Sequence, residues 1–425
     1  MDRPSKPLRM LRILILGLVA MIFVVGAAFI VLVIGRAGTQ VNLQQVDILS
    51  NSTDECITCH REDTPGIVEQ FSHSGMAAAE VTCRNCHEVN ADYPGAVAHE
   101  GTYVLASPTT AKCQKCHEDE VAQFYQSRHS LPAYVAVAGS KDLQPALLAM
   151  YKAIPEGSFA PDKARNAIAV LEGQAVMPFA CENCHSIGVP AADESVGRCQ
   201  KCHIRHEFSL EQARKPETCN NCHIGPDHPQ WEIYQESAHG IMYATTGSNW
   251  KWDAEPGNLT VADFPAPTCA VCHMSGFGTA STTHDVGDRL SWYLFASVST
   301  QRPSWEANRT KMQSVCRACH NEQFINTLYT NADAATQQVI AWVKESNDLV
   351  APLQTQGIIN TNNFDEPLDF TYFNLWHYWG RTTKFGVWMQ GADYSQWHGA
   401  YPLQEAMAEL REMVKAKLQA AGATP

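Results

Sequence analysis

Apolar and polar positions divide this chain into three stretches of different character. From Ile13 to Gly35 no residue is charged, and this largely apolar run of 23 residues follows Arg3, Lys6, Arg9 and Arg12. At about 1.5 Å per residue the run reaches across a bilayer core, and the cations before it hold the N-terminal tip in the cytoplasm. A cleaved signal peptide would have an apolar region of only about 7–15 residues and a small-x-small cleavage site, which is not found here. The expectation is therefore a cytoplasmic tip and a single N-terminal transmembrane helix over residues 1–36, with everything after it periplasmic, on the extracytoplasmic side. Val41 to Thr53 reads as a polar tether. Across residues 37–325 strand-like alternation is scarce, and short helical stretches such as Ala164–Leu171 are separated by long loops. In the last stretch, 326–425, Ala334–Val350 and Leu403–Leu418 read as amphipathic helices flanking an aromatic-rich segment from Phe370 to Tyr401. The pattern predicts a mainly α fold with long loops.

Cysteine usage changes the picture. All sixteen cysteines fall into eight Cys-x-x-Cys-His motifs. These are Cys56, Cys59 and His60; Cys83, Cys86 and His87; Cys113, Cys116 and His117; Cys181, Cys184 and His185; Cys199, Cys202 and His203; Cys219, Cys222 and His223; Cys269, Cys272 and His273; and Cys316, Cys319 and His320. In such a motif both thiols add to the vinyl groups of one haem, and the histidine becomes an axial iron ligand. A single copy would equally suit a zinc or redox site. Eight in succession, with no cysteine left over, indicate eight covalently bound c-type haems. Beyond residue 36 each motif has only roughly 49 residues to itself, too few to wrap every cofactor in its own core. The expectation is a haem-dominated interior. A formal charge of −13, made more negative by propionates, argues against a nucleic-acid partner.

Of seventeen histidines, nine lie outside the motifs. An electron-transfer haem takes a second axial ligand, whereas a catalytic one leaves that position to substrate. His73, His99, His129, His206, His239, His284, His377 and His398 are candidates for that second position. Two of them share a device, aromatic-x-x-Ser-x-His-small, in Phe124 to Ser130 and Tyr234 to Gly240; Phe71-Ser72-His73-Ser74-Gly75 is a looser copy. The ninth, His228, follows Gly225-Pro226-Asp227 and precedes Pro229, directly after the sixth motif. Gly225 and Pro226 turn the chain and Pro229 stiffens it. Asp227 and His228 then form either a proton-handling pair or a turn former beside one more ligand. Spacing alone leaves both open.

Further stretches carry a wider likeness. They are Cys181-x-x-Cys184-His185-Ser186-Ile187-Gly188, Cys199-x-x-Cys202-His203-x-Arg205-His206-Glu207-Phe208-Ser209 and the Gly-Pro-Asp-His segment. Thr283-His284-Asp285-Val286-Gly287 with Arg289-Leu290-Ser291-Trp292, and Asp393-Tyr394-x-x-Trp397-His398-Gly399-x-Tyr401, complete the set. In these the chain resembles the hydroxylamine oxidoreductase family of octahaem cytochromes c, from Cys56 to about Tyr401 and in the same motif order. The resemblance implies a mainly helical subunit, commonly homotrimeric, with seven six-coordinate haems and one five-coordinate catalytic haem. By motif order the catalytic haem is the one held by Cys181, Cys184 and His185, and the family's catalytic Asp-His pair falls on Asp227 and His228. Eight histidines then remain for seven distal positions, with His377 or His398 surplus. The implied activity interconverts hydroxylamine, nitrite and ammonium, coupled to a membrane quinone-linked or cytochrome redox partner.

Oxidative members of that family carry a tyrosine crosslinked to the catalytic haem. Tyr372, Tyr378, Tyr394 and Tyr401 lie where it would be sought, and the resemblance singles out none of them as the crosslinking residue. The expectation is the uncrosslinked, reductive type. The alternative from another class is a non-enzymatic multihaem electron conduit. Other multihaem reductases, which typically carry a Cys-x-x-Cys-Lys motif, are disfavoured, since none occurs.

Overall fold

The computed structural model describes residues 52–154, 159–295, 297–360 and 364–422, in two units that divide after His73. The mainly helical expectation holds, and the transmembrane part of it is corrected. Among the described residues no helix is long and apolar enough to cross a membrane, and the Ile13–Gly35 run lies outside them. The longest helix has the length but carries Asp333, Lys344, Glu345 and Asp348, which lipid would not accept. Membrane anchoring and the periplasmic placement derived from it are withdrawn.

In the first unit, α1 (Glu55–Asp63) carries the first motif and α2 (Pro65–Ser72) ends at His73. The Asp54 carboxylate accepts from the backbone N–H groups of Cys56 and Ile57, satisfying donors that a helix start leaves unpaired. Motif helices in the second unit follow the same logic. Cys83–His87 and Cys269–His273 are single helical turns capped by Thr82 and Thr268, while Cys181–His185 has no side-chain cap. One helical turn puts positions i, i+3 and i+4 on one face, so both thiols and the imidazole point the same way.

Between the second and third motifs a small antiparallel sheet forms from β1 (Glu88–Val89), β2 (Val97–His99) and β3 (Thr102–Val104), with β3 central. Glu88 pairs with Val104 and Val97 with the same residue from the other side. Its function is local: Leu105, just past β3, donates to the His87 carbonyl at 2.8 Å and thereby fixes the second motif.

The repeated serine device is a helix break. After α3 (Glu118–Gln126), Ser127 ends one helix, and α4 (Leu131–Ala138) starts four residues later. Likewise Ser237 separates α5 (Gln230–Glu236) from α6 (Ala238–Thr246) and caps the latter by accepting from Gly240 at 3.1 Å. Gly240 must be small, because a Cβ there would lie 1.8 Å from the Tyr234 carbonyl oxygen. The break leaves His129 in the turn between two helices and His239 in the first turn of α6.

The C-terminal helices hold a conventional apolar core, which the haem-dominated expectation did not include. Along α7 (Glu322–Thr355) the buried residues are Ile325, Tyr329, Ala332, Thr336, Val339, Val343, Ser346, Val350 and Leu353. The steps alternate four and three, the heptad seam of paired helices. The matching seam on α9 (Tyr401–Ala420) is Leu403, Met407, Leu410 and Val414. Helix α7 starts twelve residues before the expected Ala334, since Asn321 caps it at Phe324 and its first turns bury only three side chains. The aromatic segment between the two helices is itself helical, with α8 (Arg381–Met389) between π-helical turns at Leu375–Gly380 and Gln396–Ala400. Ala164–Leu171 proves helical only from Ala167, to Glu172.

Leu410 is fully buried in the seam. Leu410→Ala is expected to cost about 2–5 kcal/mol, read as a lower calorimetric midpoint with an unchanged visible spectrum.

Candidate haem and active sites

The sixteen cysteines form no disulfide. Thiols of different motifs meet instead: Cys113 lies against Cys199, Cys184 against Cys222 and Cys219 against Cys269. The third to seventh motifs are therefore packed side by side, which suits electron transfer between cofactors held there.

Two axial imidazoles, each bound to a metal through about 2 Å, have ring centres roughly 6–6.5 Å apart. Four motif histidines meet that test. His87 faces His206 at 6.4 Å, His203 faces His284 at 6.4 Å, His223 faces His129 at 5.9 Å, and His320 faces His239 at 6.1 Å; His228 also lies 6.2 Å from His223, edge-on and engaged with Asp227. Ring nitrogens are also set for ligation. His87 donates Nδ1–H to the Leu105 carbonyl and His185 to that of Ala133, both at 2.7 Å, which leaves Nε2 for a metal. Burial lowers the pKa of His203, His223 and His273 to about 4, so each is neutral at physiological pH and able to bind iron.

Apolar surface completes the fit. Val170, Leu171, Val176 and Phe179 are exposed just before Cys181, with Phe179 at 87%. A cavity of about 640 Å³ opens next to the eighth motif, lined by Asn321, Phe324 and Leu328 among others. The residues fit haem.

Four of the expected ligands, His73, His99, His377 and His398, lie outside these four pairs. Among residues 74–422, His117, His185 and His273 have no second imidazole at the paired separation. His99 sits on β2. His73 ends α2 with Nε2 3.1 Å from Glu69. His398 is half exposed, 3.0 Å from Asp393 and stacked on Tyr394 at 4.7 Å. His377 lies at the Asp227 site.

That site is assembled from distant segments. Gly225 takes φ +86°, which glycine tolerates, and turns the chain after His223. Thr382, on α8, donates to the Pro226 carbonyl at 2.9 Å and holds the turn against the tail. His228 donates Nδ1–H to Asp227 Oδ2 at 2.6 Å, and His377 Nε2 lies 3.9 Å from the same oxygen. Burial works to raise the Asp227 pKa. The hydrogen bond from His228, with the electrostatic influence of His228, His377 and the Arg381 guanidinium, outweighs it and brings the carboxyl to about 2. Buried Arg381 donates to the Phe295 carbonyl at 3.0 and 2.7 Å, which fixes its charge near the pair. The same groups, His228, Asp227 and Arg381, act on His185, whose pKa burial lowers. Tyr378 adjoins them, edge-on to His377 at 5.2 Å. Tyr372 instead donates to Asn347, and Tyr394 stacks on His398.

Sequence reasoning brought Asp227, His228 and His185 together but missed Arg381 and Thr382, more than 150 residues away with no motif to mark them. It also missed the role of Arg289. That buried side chain donates to the carbonyls of Val271, Cys272, Met274, Ser275 and Ser281 at 2.7–3.3 Å, tying down the seventh motif.

A family described as multihaem cytochrome, seven times CxxCH, matches residues 79–367. The chain belongs to the multihaem cytochrome family. Seven of this cytochrome's motifs lie within that span, and the first, at Cys56–His60, precedes it. The cytochrome accordingly binds c-type haem covalently. It is 30% identical over 245 residues to a probable nitrite reductase-hydroxylamine oxidoreductase fusion protein of Kuenenia stuttgartiensis, covering 52% of this chain and 25% of the relative. The match thus spans about a quarter of that protein's length. Among solved structures, one called a hypothetical multihaem protein superposes with a TM-score of 0.75 at 21% identity, covering 91% of this chain and all of the other. A reducing hydroxylamine oxidoreductase-like protein complex of Kuenenia stuttgartiensis superposes with a TM-score of 0.63 at 19% identity, over 86% of this chain and 85% of that one. At these identities the cytochrome shares their fold.

Lysine cannot reproduce the planar fork of Arg289. Arg289→Lys is expected to lose about 2–3 kcal/mol and to lower haem occupancy of the peptide containing Cys269 and Cys272, measured by mass spectrometry.

Proposed function

We propose that this cytochrome is an octahaem oxidoreductase of small nitrogen compounds, with its catalytic haem held by Cys181, Cys184 and His185. The observation that carries the reading is the half-buried Asp227–His228 pair beside His185, which has no imidazole opposite it among the described residues of 74–422. The other seven motifs hold electron-transfer haems, with His206, His284, His129 and His239 as four of the distal ligands. When bound, the catalytic haem supplies a redox-active iron for nitrogen ligands, and its neighbours store the electrons that such chemistry moves together.

The protein's own share is proton handling. Asp227 holds the His228 proton on Nδ1, so Nε2 is the nitrogen that exchanges protons with a substrate. Arg381 balances the carboxylate charge, and the Gly-Pro turn with Thr382 keeps the pair in place. The proposed direction is reductive, nitrite or hydroxylamine toward ammonium, with electrons from a quinol-linked or cytochrome donor and a homotrimeric assembly. The likeness to the Kuenenia stuttgartiensis proteins supports nitrogen redox chemistry. Tyr378 adjoins the site, so intact-protein mass tests for a crosslink and hence the direction.

The four imidazole pairs and touching motifs also suit a pure electron conduit. Resonance spectroscopy separates the readings: the enzyme has one high-spin haem that binds nitric oxide, and the conduit has none.

Asp227→Asn and His228→Ala are expected to leave eight haems per chain while lowering turnover of hydroxylamine or nitrite by about 10²–10⁴-fold. Unchanged turnover in both variants removes the pair from the mechanism. Replacing Cys56 and Cys59 by serine is expected to reduce the haemochrome count from eight to seven.

A further inference from the structure

We propose that His377 is a positioning residue of the Asp227–His228 site, acting through the Asp227 carboxylate, and not an axial ligand of an electron-transfer haem. The inference rests on the functional reading above. One carboxylate oxygen, Asp227 Oδ2, has imidazoles on two sides: His228 Nδ1 at 2.6 Å and His377 Nε2 at 3.9 Å. The two histidines come from segments about 150 residues apart, so tertiary structure and not local sequence makes the arrangement.

The His377 ring is held in place by its neighbours. Phe373 stacks on it at 4.2 Å and 21°, while Trp376 and Tyr378 meet it edge-on, each at 5.2 Å. Its backbone belongs to the π-helical turn Leu375–Gly380, a wide turn of the kind often found at functional sites. Arg381 lies four positions on, and its charge acts on both His377 and Asp227. Nε2 faces Asp227, and Nδ1 is buried with no hydrogen-bond partner among the described residues. Within residues 74–422 no motif histidine faces this ring at the separation of the four pairs.

An imidazole on each side keeps the carboxylate from swinging away from His228. The hydrogen bond to His228 Nδ1 then persists through turnover, and the tautomer with Nε2 available is maintained. A histidine used this way is lost to iron ligation. Of the two candidates for the surplus position, His377 is the one so occupied.

The test uses the full haem-loaded chain with His377→Ala and His377→Gln, each also combined with Asp227→Asn. The expected result is at least a tenfold fall in kcat for His377→Ala with KM nearly kept. His377→Gln, which retains a donor toward the carboxylate, should recover part of the loss. Electron paramagnetic resonance should show the same number of low-spin haems as the parent. Adding His377→Ala to Asp227→Asn should lower kcat little further, because both changes act on one carboxylate. A new high-spin signal in either variant would show an axial ligand and overturn the inference. So would parental turnover, or losses that multiply fully in the double variant. If His377→Ala does not accumulate with haem, the same measurements on His377→Gln decide. Impaired Asp227→Asn beside unimpaired His377 variants defeats this inference alone, whereas full turnover in Asp227→Asn defeats the functional reading beneath it.

Discussion

A histidine that gives its Nδ1 hydrogen to a fixed oxygen can offer only Nε2 to a metal or a substrate. Much of this structure serves that constraint. The small sheet exists to bring the Leu105 carbonyl to His87, and α4 brings the Ala133 carbonyl to His185. The turn after the sixth motif places Gln230 3.2 Å from His223 Nδ1, and three positions earlier Asp227 does the equivalent for His228. The protein builds oxygen acceptors at chosen points and lets the imidazoles follow.

The same chemistry explains the unusual distribution of packing. Around the motifs, apolar residues gather in small clusters, such as the aromatic group of Trp250, Trp252 and Phe264. The continuous core lies in the tail, between α7 and α9. A chain that devotes so many positions to cofactor attachment has few left for a shared interior, and it concentrates them where no cysteine occurs. The tail is more than scaffold, because Thr382, Arg381 and His377 project from it onto the Gly-Pro-Asp-His turn.

Legibility in the sequence followed how local each feature is. The motifs and the serine device before His129 and His239 are contained within a few residues and could be read directly, whereas spacing left two readings open for the adjacent Asp227 and His228. The pairing of His87 with His206 depends on segments that only the fold brings together, as does the meeting of Asp227 with His377. The start of α7 was missed for a different reason. Asn326, Thr327, Thr330 and Asn331 mask the three buried positions that carry its seam through those turns. His377 could be counted as a candidate ligand from composition, but the oxygen it approaches lies in another part of the chain. Arg289 stood within a matched stretch, yet its hold on five carbonyls has no sequence signature.

The tail core has a consequence for biogenesis. Of its fully enclosed members, Phe295 alone precedes residue 339. The cysteines all come earlier, the last being Cys319. As the chain emerges, every thiol is therefore present before the tail hairpin can close over its neighbours. Thioether formation can then precede closure of the hairpin, whose core needs residues that follow the last cysteine.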